Sequence, residues 1–165
     1  MRDPLKFFAA GIPKGQPRPR ARQRKGFIHI FTPTVADDWK MIVRYEAEKA
    51  WRANGYPLQF IGPLCVDLTF YFPRPTAHFR ANGELKPGAP VWHTQKPDRD
   101  NCDKPILDVL NDVCIWADDK KVCDGRIMKL YSNDKICGCL ISIAELSDEV
   151  KPTVRPGPIA QPQLL

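Results

Sequence analysis

Aspartates cluster in one stretch of the chain, between Lys96 and Lys129. Asp98 and Asp100 are two residues apart, so in an extended segment their side chains point to the same side. Hard cations such as Mg²⁺ take carboxylate oxygens from the protein and fill their remaining positions with water and phosphate. The pair therefore predicts part of a magnesium site, and a second acidic pair, Asp118–Asp119, follows in the same stretch.

The spacing allows one residue of the second pair to return to the first. The residues after Asp100 predict a helix over 101–111, which is roughly 16 Å long at ~1.5 Å per residue. Six or seven extended residues then span roughly 20 Å at ~3.3 Å each, enough to bring Asp118 or Asp119 beside Asp98 and Asp100. Only one of the adjacent acids would face the ion if this segment is extended.

Two structural explanations compete with a metal site. Asp98 and Asp100 could simply cap the helix, while Asp118–Asp119 could form a turn. A calcium loop of the EF-hand type is excluded, because its sixth position is Asp103 and not glycine, and its twelfth is Val109 and not glutamate.

The N-terminal part of the chain has the opposite charge. There is no acidic residue between Pro4 and Ala36, and the whole 165-residue chain carries a net charge of +6, which favours a polyanionic partner. The candidates for contact with DNA phosphates are Lys14, Arg18, Arg20 and Arg22. Basic side chains that hold a nucleic-acid backbone, together with carboxylates that hold a metal, meet the needs of phosphodiester hydrolysis.

The elements that must position these residues follow from hydrophobic periodicity and turn residues. Alternation predicts a strand at 64–72, and helical spacing after Thr34, which can cap, predicts a helix that ends at Asn54–Gly55. Further strands are predicted at 6–12, 26–31, 122–130 and 136–144, with a turn at 132–134 and a long loop or loose hairpin at 73–95. The order indicates an α+β domain with two main helices on one mixed sheet.

Composition limits the class of protein. Residues 1–146 are expected to form one domain, followed by a proline-rich tail at 147–165 without fixed structure. No apolar run is long enough to span a membrane, and the N-terminus lacks the apolar region of a signal peptide, so a cytoplasmic protein is expected. The six cysteines include no Cys-x-x-Cys pair and are interpreted as buried, reduced thiols.

Two longer motifs contain these candidates. The acidic stretch reads Lys96-Pro97-Asp98-Arg99-Asp100-Asn101, with Lys104, Leu107-Asp108, Leu110-Asn111, Asp118-Asp119 and Val122. The N-terminal segment reads Gly11-x-Pro13-Lys14-Gly15-x-Pro17-Arg18-Pro19-Arg20, followed by Thr32-Pro33. Together they resemble the RusA family of Holliday junction resolvases, in its phage-type branch, over Phe7–Glu145.

The resemblance implies that Asp98, Asp100 and Asp119 are the essential aspartates and that Lys104 is a catalytic lysine. It implies a Mg²⁺-dependent homodimer, of bacterial or phage origin, that acts in DNA recombination and repair by cutting four-way junctions with paired, symmetric nicks. Cys102 and Pro105 depart from the family pattern. Because proline lacks an N–H and is tolerated only in the first turn of a helix, the helix is expected to begin near Cys102.

Two other functions stay open. A DNA-binding module without catalysis would use the same basic segment and keep the acids only as structure. A nuclease that acts on flaps or replication forks would use the same centre on a different substrate. Phe27, Phe79 and Trp92 could stack on opened bases, but packing is the favoured interpretation of each.

Overall fold

The computed structural model describes residues 3–17, 19–24, 26–31, 33–55, 58–133 and 136–147. Its elements are strands β1 (Leu5–Ala10), β2 (Arg20–Arg24) and β3 (Phe27–Phe31), helix α1 (Asp37–Ala53), strand β4 (Leu64–Phe72), helix α2 (Arg99–Asp112) and strands β5 (Val122–Asp124), β6 (Ile127–Tyr131) and β7 (Gly138–Glu145). Short 3₁₀ helices lie at Thr76–His78 and Asp119–Lys121. All of the predicted tail except residue 147 lies outside the described residues.

A mixed sheet forms the centre of the fold. β7 runs antiparallel to β1 and to β4, and the other edge of β4 pairs first with β5 and then with β6, both parallel to it. The apolar residues of β4 are buried at alternate positions, as the sequence predicts for 64–72. The predicted α+β fold, with two main helices and one mixed sheet, is confirmed.

Both helices pack into one hydrophobic core with the sheet. α1 lies on β1 and buries Trp39, Val43 and Ala47, because these residues recur at the spacing of one helical face. α2 lies against α1 and buries Ile106 and Leu110. Each fully buried aliphatic side chain of this kind contributes about 1.5–3 kcal/mol to folding. The core thus fixes the orientation of α2, whose first turn carries the candidate acids.

Ion pairs join the two helices at their exposed edges. Lys40 Nζ lies 3.4 Å from Asp108 Oδ2, and Arg44 Nη2 lies 2.8 Å from Asp112 Oδ2. Because these side chains are partly or largely exposed, each pair contributes little to stability, about 0–1 kcal/mol. Asp108 and Asp112 therefore belong to the helix–helix contact and not to the acidic centre.

The start of α1 differs from the prediction. The helix begins at Asp37, its N-cap residue is Ala36, and no side chain caps it. Thr34 takes part through its main-chain carbonyl, which accepts a hydrogen bond from Asp37 N at 3.1 Å. The prediction that Thr34 caps the helix is therefore wrong. The predicted end is confirmed: Gly55 adopts a positive φ of 62°, and its N–H donates to Arg52 O.

The predicted strand at 122–130 is broken in two. A Cβ atom on Gly125 would lie 2.0 Å from the Val66 carbonyl oxygen, so the chain passes too close to β4 for a side chain at this position. β5 therefore ends at Asp124, and β6 begins at Ile127 further along β4. β6 and β7 pair with opposite edges of β4, so the two strands predicted on either side of the turn at 132–134 are not neighbours. Residue 134 of that predicted turn lies outside the described residues.

β2 and β3 form a separate two-stranded hairpin. The sequence predicts β3 but not β2, because Arg20-Ala21-Arg22-Gln23-Arg24 lacks alternating apolar residues. Within the described part of the chain, neither strand makes more than marginal contact with another helix or strand. Phe27, Ile28 and Ile30 are 79%, 74% and 69% exposed. The hairpin therefore projects from the domain with these three apolar side chains in solvent.

The long segment at 73–95 is a loose hairpin. This is one of the two predicted alternatives, the other being a long loop. An antiparallel bridge between Phe79 and Leu85 closes it. Its last residues then run along β6, where His93 N donates to Lys129 O and Tyr131 N donates to Val91 O, both at 2.9 Å. This pairing delivers the chain to the start of α2.

Two further findings concern membrane-spanning helices and the cysteines. Neither helix in the described ranges is long and apolar enough to cross a membrane. All six cysteines are free thiols, as predicted, but only Cys102 and Cys139 are buried. Cys114 and Cys123 are exposed, so the interpretation of a fully buried set is wrong.

Candidate metal centre

Asp98 and Asp100 lie at the start of α2. Asp98 is the N-cap residue, and its carbonyl oxygen accepts hydrogen bonds from Asn101 N and Cys102 N, both at 3.1 Å. The Asp98 side chain makes no capping hydrogen bond, so the capping explanation does not account for its carboxylate. Both side chains are exposed. The helix start therefore presents two carboxylates to solvent, two residues apart.

Pro105 lies inside α2, which contradicts the expectation that the helix begins near Cys102. The helix begins at Arg99, so Pro105 is in its second turn. Proline has no N–H to donate to the carbonyl four residues back, which belongs to Asn101. That carbonyl instead accepts a hydrogen bond from Gln16 N at 2.7 Å. The helix tolerates Pro105 because the N-terminal segment replaces the missing donor.

The basic N-terminal segment is seated directly on the start of α2. A Cβ atom on Gly15 would lie 2.5 Å from Pro97 Cβ and 3.2 Å from Asn101 O. Only glycine fits there, and its small size lets Gln16 reach Asn101. The basic and acidic motifs, which are about 80 residues apart in the sequence, therefore meet in space.

Lys104 and Asp103 follow Asp100 on the same side of α2. Lys104 is exposed and lies one helical turn after Asp100, the spacing at which side chains on a helix are neighbours. Asp103 is half-buried, and burial raises the pKa of its carboxyl group. It lines a cavity of about 290 Å³ between α2 and β5, together with Leu107, Val122 and Asp124.

The two aspartates of the second acidic pair, Asp118 and Asp119, have different surroundings. Asp118 caps the 3₁₀ helix Asp119–Lys121: its carboxylate accepts hydrogen bonds from Lys120 N and from Lys120 Nζ, both at 3.0 Å. The bond from the Lys120 N–H, followed by that from its ammonium group, lowers the pKa of Asp118. Asp119 is exposed on the first residue of this 3₁₀ helix, which lies against α2.

The three predicted ligands are not assembled into one group. Within the described ranges, no set of three or more His, Cys, Asp or Glu side chains is close enough together to hold a metal ion. The structure places Asp98 and Asp100 on one helix start and Asp119 on a neighbouring element. Mg²⁺ is usually held by one or two carboxylates, with water and substrate phosphates completing its octahedron. The exposed pair fits that chemistry, while the ligand set Asp98, Asp100 and Asp119 stays a prediction.

The predicted DNA contacts lie in two places. Lys14 Nζ is 3.3 Å from Asp38 Oδ2, in an exposed pair of the kind that contributes little. Arg22 is exposed on β2. Arg18 lies outside the described residues, and Arg20 is described only by its main chain, which begins β2.

Phe27 shares one face of the hairpin with Arg22. The register pairs Arg22 with position 29, and Phe27 is two residues before that position, so the two side chains are on the same side. Phe27 is 79% exposed, so the favoured interpretation of packing is wrong for this residue. The hairpin thus presents an arginine and an aromatic ring together.

Lys129 is a residue of the centre that sequence reasoning missed. Its ammonium group donates hydrogen bonds to Gln95 O at 2.8 Å and to Pro97 O at 2.5 Å, immediately before Asp98. The only signal in the sequence is a lysine inside an otherwise apolar strand.

Cys102 packs against the same loop. Its Sγ is 3.8 Å from Pro97 O, and burial raises the pKa of its thiol to about 11, so the thiol stays protonated.

Comparison with known proteins gives the class and then the family. A family model described as endodeoxyribonuclease RusA matches residues 10–143, which include both helices, the hairpin and the acidic centre. The match shows an endodeoxyribonuclease and favours an enzyme over a DNA-binding module without catalysis. The chain belongs to the RusA endodeoxyribonuclease family. The uncharacterized protein YqaN of Bacillus subtilis (strain 168) is 32% identical over 135 residues, covering 80% of this chain and 91% of YqaN.

Proposed function

We propose that this endodeoxyribonuclease resolves four-way DNA junctions in recombination and repair, as a homodimer that makes paired, symmetric nicks. In this proposal Asp98, Asp100 and Asp119 hold Mg²⁺, and Lys104 contacts the scissile phosphate. Lys14, Arg18, Arg20 and Arg22 bind the DNA backbone. RusA-family nucleases act on branched DNA, which supports the substrate, and a DNA substrate in a bacterial or phage-infected cell favours the cytoplasm as the site of action.

The observation that carries the proposal is the contact between the basic segment and the acidic helix start. Gln16 N donates to Asn101 O at 2.7 Å, and Gly15 lies against Pro97. A phosphate bound by the basic segment would therefore lie beside Asp98 and Asp100. Carboxylates next to a polyanion are unfavourable unless a cation separates them, so this neighbourhood favours a metal ion between protein and DNA.

When bound, Mg²⁺ would act as a Lewis acid that activates water and offsets negative charge on the phosphate. The chain's own residues complete the site. Lys104 projects from the turn after Asp100 and can neutralise charge that develops on a phosphate oxygen. Asp118 is engaged with Lys120, and Asp119 is exposed on the 3₁₀ helix that lies against α2, which favours Asp119 as the ligand of that pair.

The proposed homodimer matches the symmetry of the proposed substrate. A twofold dimer presents two equivalent acidic centres. A four-way junction also has two equivalent strands at its branch point, so two symmetric nicks release two duplexes. Sedimentation equilibrium of the purified chain tests this directly, and a monomer at the concentrations that cleave DNA would contradict the paired-nick mechanism.

The metal role is tested by cleavage of a four-way junction by wild type, Asp100→Asn and Asp112→Asn. Asp112 is the matched control, because it is an exposed acid at the other end of α2 and pairs with Arg44. Loss of about 3 kcal/mol of metal stabilisation slows cleavage about 100-fold. We expect that loss in Asp100→Asn with junction binding retained, and cleavage near wild type in Asp112→Asn. Equal cleavage by wild type and Asp100→Asn would refute the metal site.

The substrate is tested with a panel of junction, flap, fork and duplex DNA in Mg²⁺. Preference for the junction supports resolution, whereas preference for flaps or forks would support the other nuclease function. Cleavage of a cruciform plasmid then separates paired from single nicks. Paired nicks in one binding event give linear DNA, and single nicks give the open circle.

A further inference from the structure

Lys129 projects from β6 toward the chain that enters the acidic centre. Its Nζ donates to Gln95 O at 2.8 Å and to Pro97 O at 2.5 Å, and Asp98 is the next residue. We propose that Lys129 is a positioning residue, which fixes the main chain at 95–97 and thereby holds Asp98 and Asp100 in the geometry that binds the metal. This inference rests on the proposed metal role of those two aspartates.

Contacts around Lys129 hold its ammonium group in place. The Phe72 ring lies 5.9 Å from Nζ, within the range of a cation–π contact. On either side along the same face of β6, Ile127 lines the cavity under α2 and Tyr131 is buried. The side chain is therefore half-buried between a strand and the loop that it binds, and its rotamer is restricted by packing.

The main chain of β6 binds the same loop. Lys129 O accepts a hydrogen bond from His93 N, and Tyr131 N donates to Val91 O. The loop is thus tied to the sheet at 91–93 by backbone bonds and at 95–97 by the lysine side chain. Beyond position 97 the chain is held by the α2 core residues and by the contact with Gln16, so Lys129 connects the sheet to the segment before the helix start.

Lys129 also brings positive charge close to the acidic pair. Its ammonium group bonds to Pro97 O at 2.5 Å, in the residue immediately before Asp98. Two carboxylates near each other repel in the absence of a cation. A fixed ammonium group that bonds to the main-chain carbonyls of Gln95 and Pro97 reduces that repulsion.

This role differs from that of Lys104. Lys104 is exposed on the second turn of α2, where a phosphate can reach it. Lys129 uses its donors on two carbonyl oxygens, so it acts through the position of other residues. Replacing a residue that holds metal ligands in position commonly changes metal affinity or activity by about 10–100-fold. A purely structural lysine would change stability without changing metal affinity.

The test compares Lys129→Met, Lys129→Arg and Lys86→Met in the full-length chain. Lys86 is the matched control, because its Nζ donates to Ala77 O at 2.9 Å in an exposed loop. Mn²⁺ serves as the probe: its dissociation constant is measured by electron paramagnetic resonance without DNA, and junction cleavage is titrated with Mg²⁺. Thermal unfolding of each variant accompanies both measurements.

We expect Lys129→Met to weaken Mn²⁺ binding about tenfold and to raise the half-saturating Mg²⁺ concentration by a similar factor. Lys129→Arg should recover most of the affinity, and Lys86→Met should match wild type. If Lys129→Met does not fold, Lys129→Gln, which keeps a neutral donor, is expected to show the same loss of affinity. Metal affinity equal to that of wild type in folded Lys129→Met or Lys129→Gln would overturn the inference, whatever happens to stability. Wild type that binds no Mn²⁺ and cleaves without Mg²⁺ would instead overturn the proposed metal site itself.

Discussion

Gly15 offers the sharpest test of how the basic segment and the acidic helix fit together. In Gly15→Ala the new Cβ would lie 2.5 Å from Pro97 Cβ and 3.2 Å from Asn101 O. Carbon atoms in contact are about 3.5–4.0 Å apart, so the segment must move by ~1 Å. Neither neighbour can yield easily, because one is a proline ring and the other is a helix carbonyl.

A movement of ~1 Å would lengthen the 2.7 Å bond from Gln16 N to Asn101 O beyond hydrogen-bond range. Asn101 O would then have no helical donor, because Pro105 lacks an N–H. A partly buried carbonyl without a partner costs about 1–3 kcal/mol. We therefore expect a loss of about 1–2 kcal/mol in the free energy of unfolding, which lowers Tm by roughly 5 °C for a chain of this size. Misplacement by ~1 Å at a catalytic centre can slow the reaction about 100-fold.

The assay pairs urea unfolding with single-turnover cleavage of a four-way junction. Gly62→Ala is the control, because the nearest atom to its added Cβ is Glu145 Oε1 at 3.7 Å, an ordinary contact. It should unfold within about 0.5 kcal/mol of wild type and cleave normally. Wild-type stability and cleavage in Gly15→Ala would show that the segment is not seated on α2, and the observation that carries the proposed function would fail.

Four further outcomes are expected. Ile106→Ala, which removes a fully buried side chain of α2, should lower the free energy of unfolding by about 2–5 kcal/mol in urea titration. Arg22→Ala should weaken binding of every DNA substrate and reduce the slope of log affinity against log salt by about 1, whereas Phe27→Ala should weaken junction binding more than duplex binding. Burial, and then the charge of Lys129, lowers the pKa of His93 below its usual 6.5. As pH falls below 6.5 the unfolded chain takes up this proton first, so wild type should lose more stability than His93→Phe between pH 7.5 and 5.5 in urea titrations.

Each of these results can contradict its premise. Unchanged stability of Ile106→Ala would mean that α2 is not held by the core. An unchanged salt slope in Arg22→Ala would remove that residue from the DNA interface, and equal effects of Phe27→Ala on junction and duplex would exclude stacking on opened bases. If wild type and His93→Phe lose the same stability as the pH falls, the buried His93 ring is not a source of the acid sensitivity.

Local patterns in the sequence predicted those parts of the fold that local forces determine. β4 alternates between apolar and other residues because its alternate side chains are buried, and the end of α1 follows from the positive φ that Gly55 adopts. The split of the strand at 122–130 was not predictable, because the reason is the distance from Gly125 to the Val66 carbonyl of another strand. A single glycine in a strand pattern signals a bulge or a close approach but does not say which.

The same distinction applies to the candidate centre. The sequence placed Asp98 and Asp100 at a helix start, where the structure has them, because helix position follows from local periodicity. The predicted start of α2 was wrong because Pro105 was expected to lie in the first turn. The donor that replaces its N–H comes from Gln16, which is far away in the sequence. The role of Lys129 was missed for a similar reason: its partners are main-chain oxygens, which no side-chain pattern reveals.

The β2–β3 hairpin can change its sequence with little effect on folding, because neither strand makes more than marginal contact with other helices or strands in the described part of the chain. Residues that pack into a core are constrained by their neighbours, whereas exposed residues such as Arg22 and Phe27 are not. If the hairpin binds DNA as proposed, relatives of this enzyme could therefore differ in the DNA that they bind while keeping the same cleavage chemistry. Exchanging residues 20–31 between relatives would be a direct route to enzymes with altered target preference and unchanged thermal tolerance.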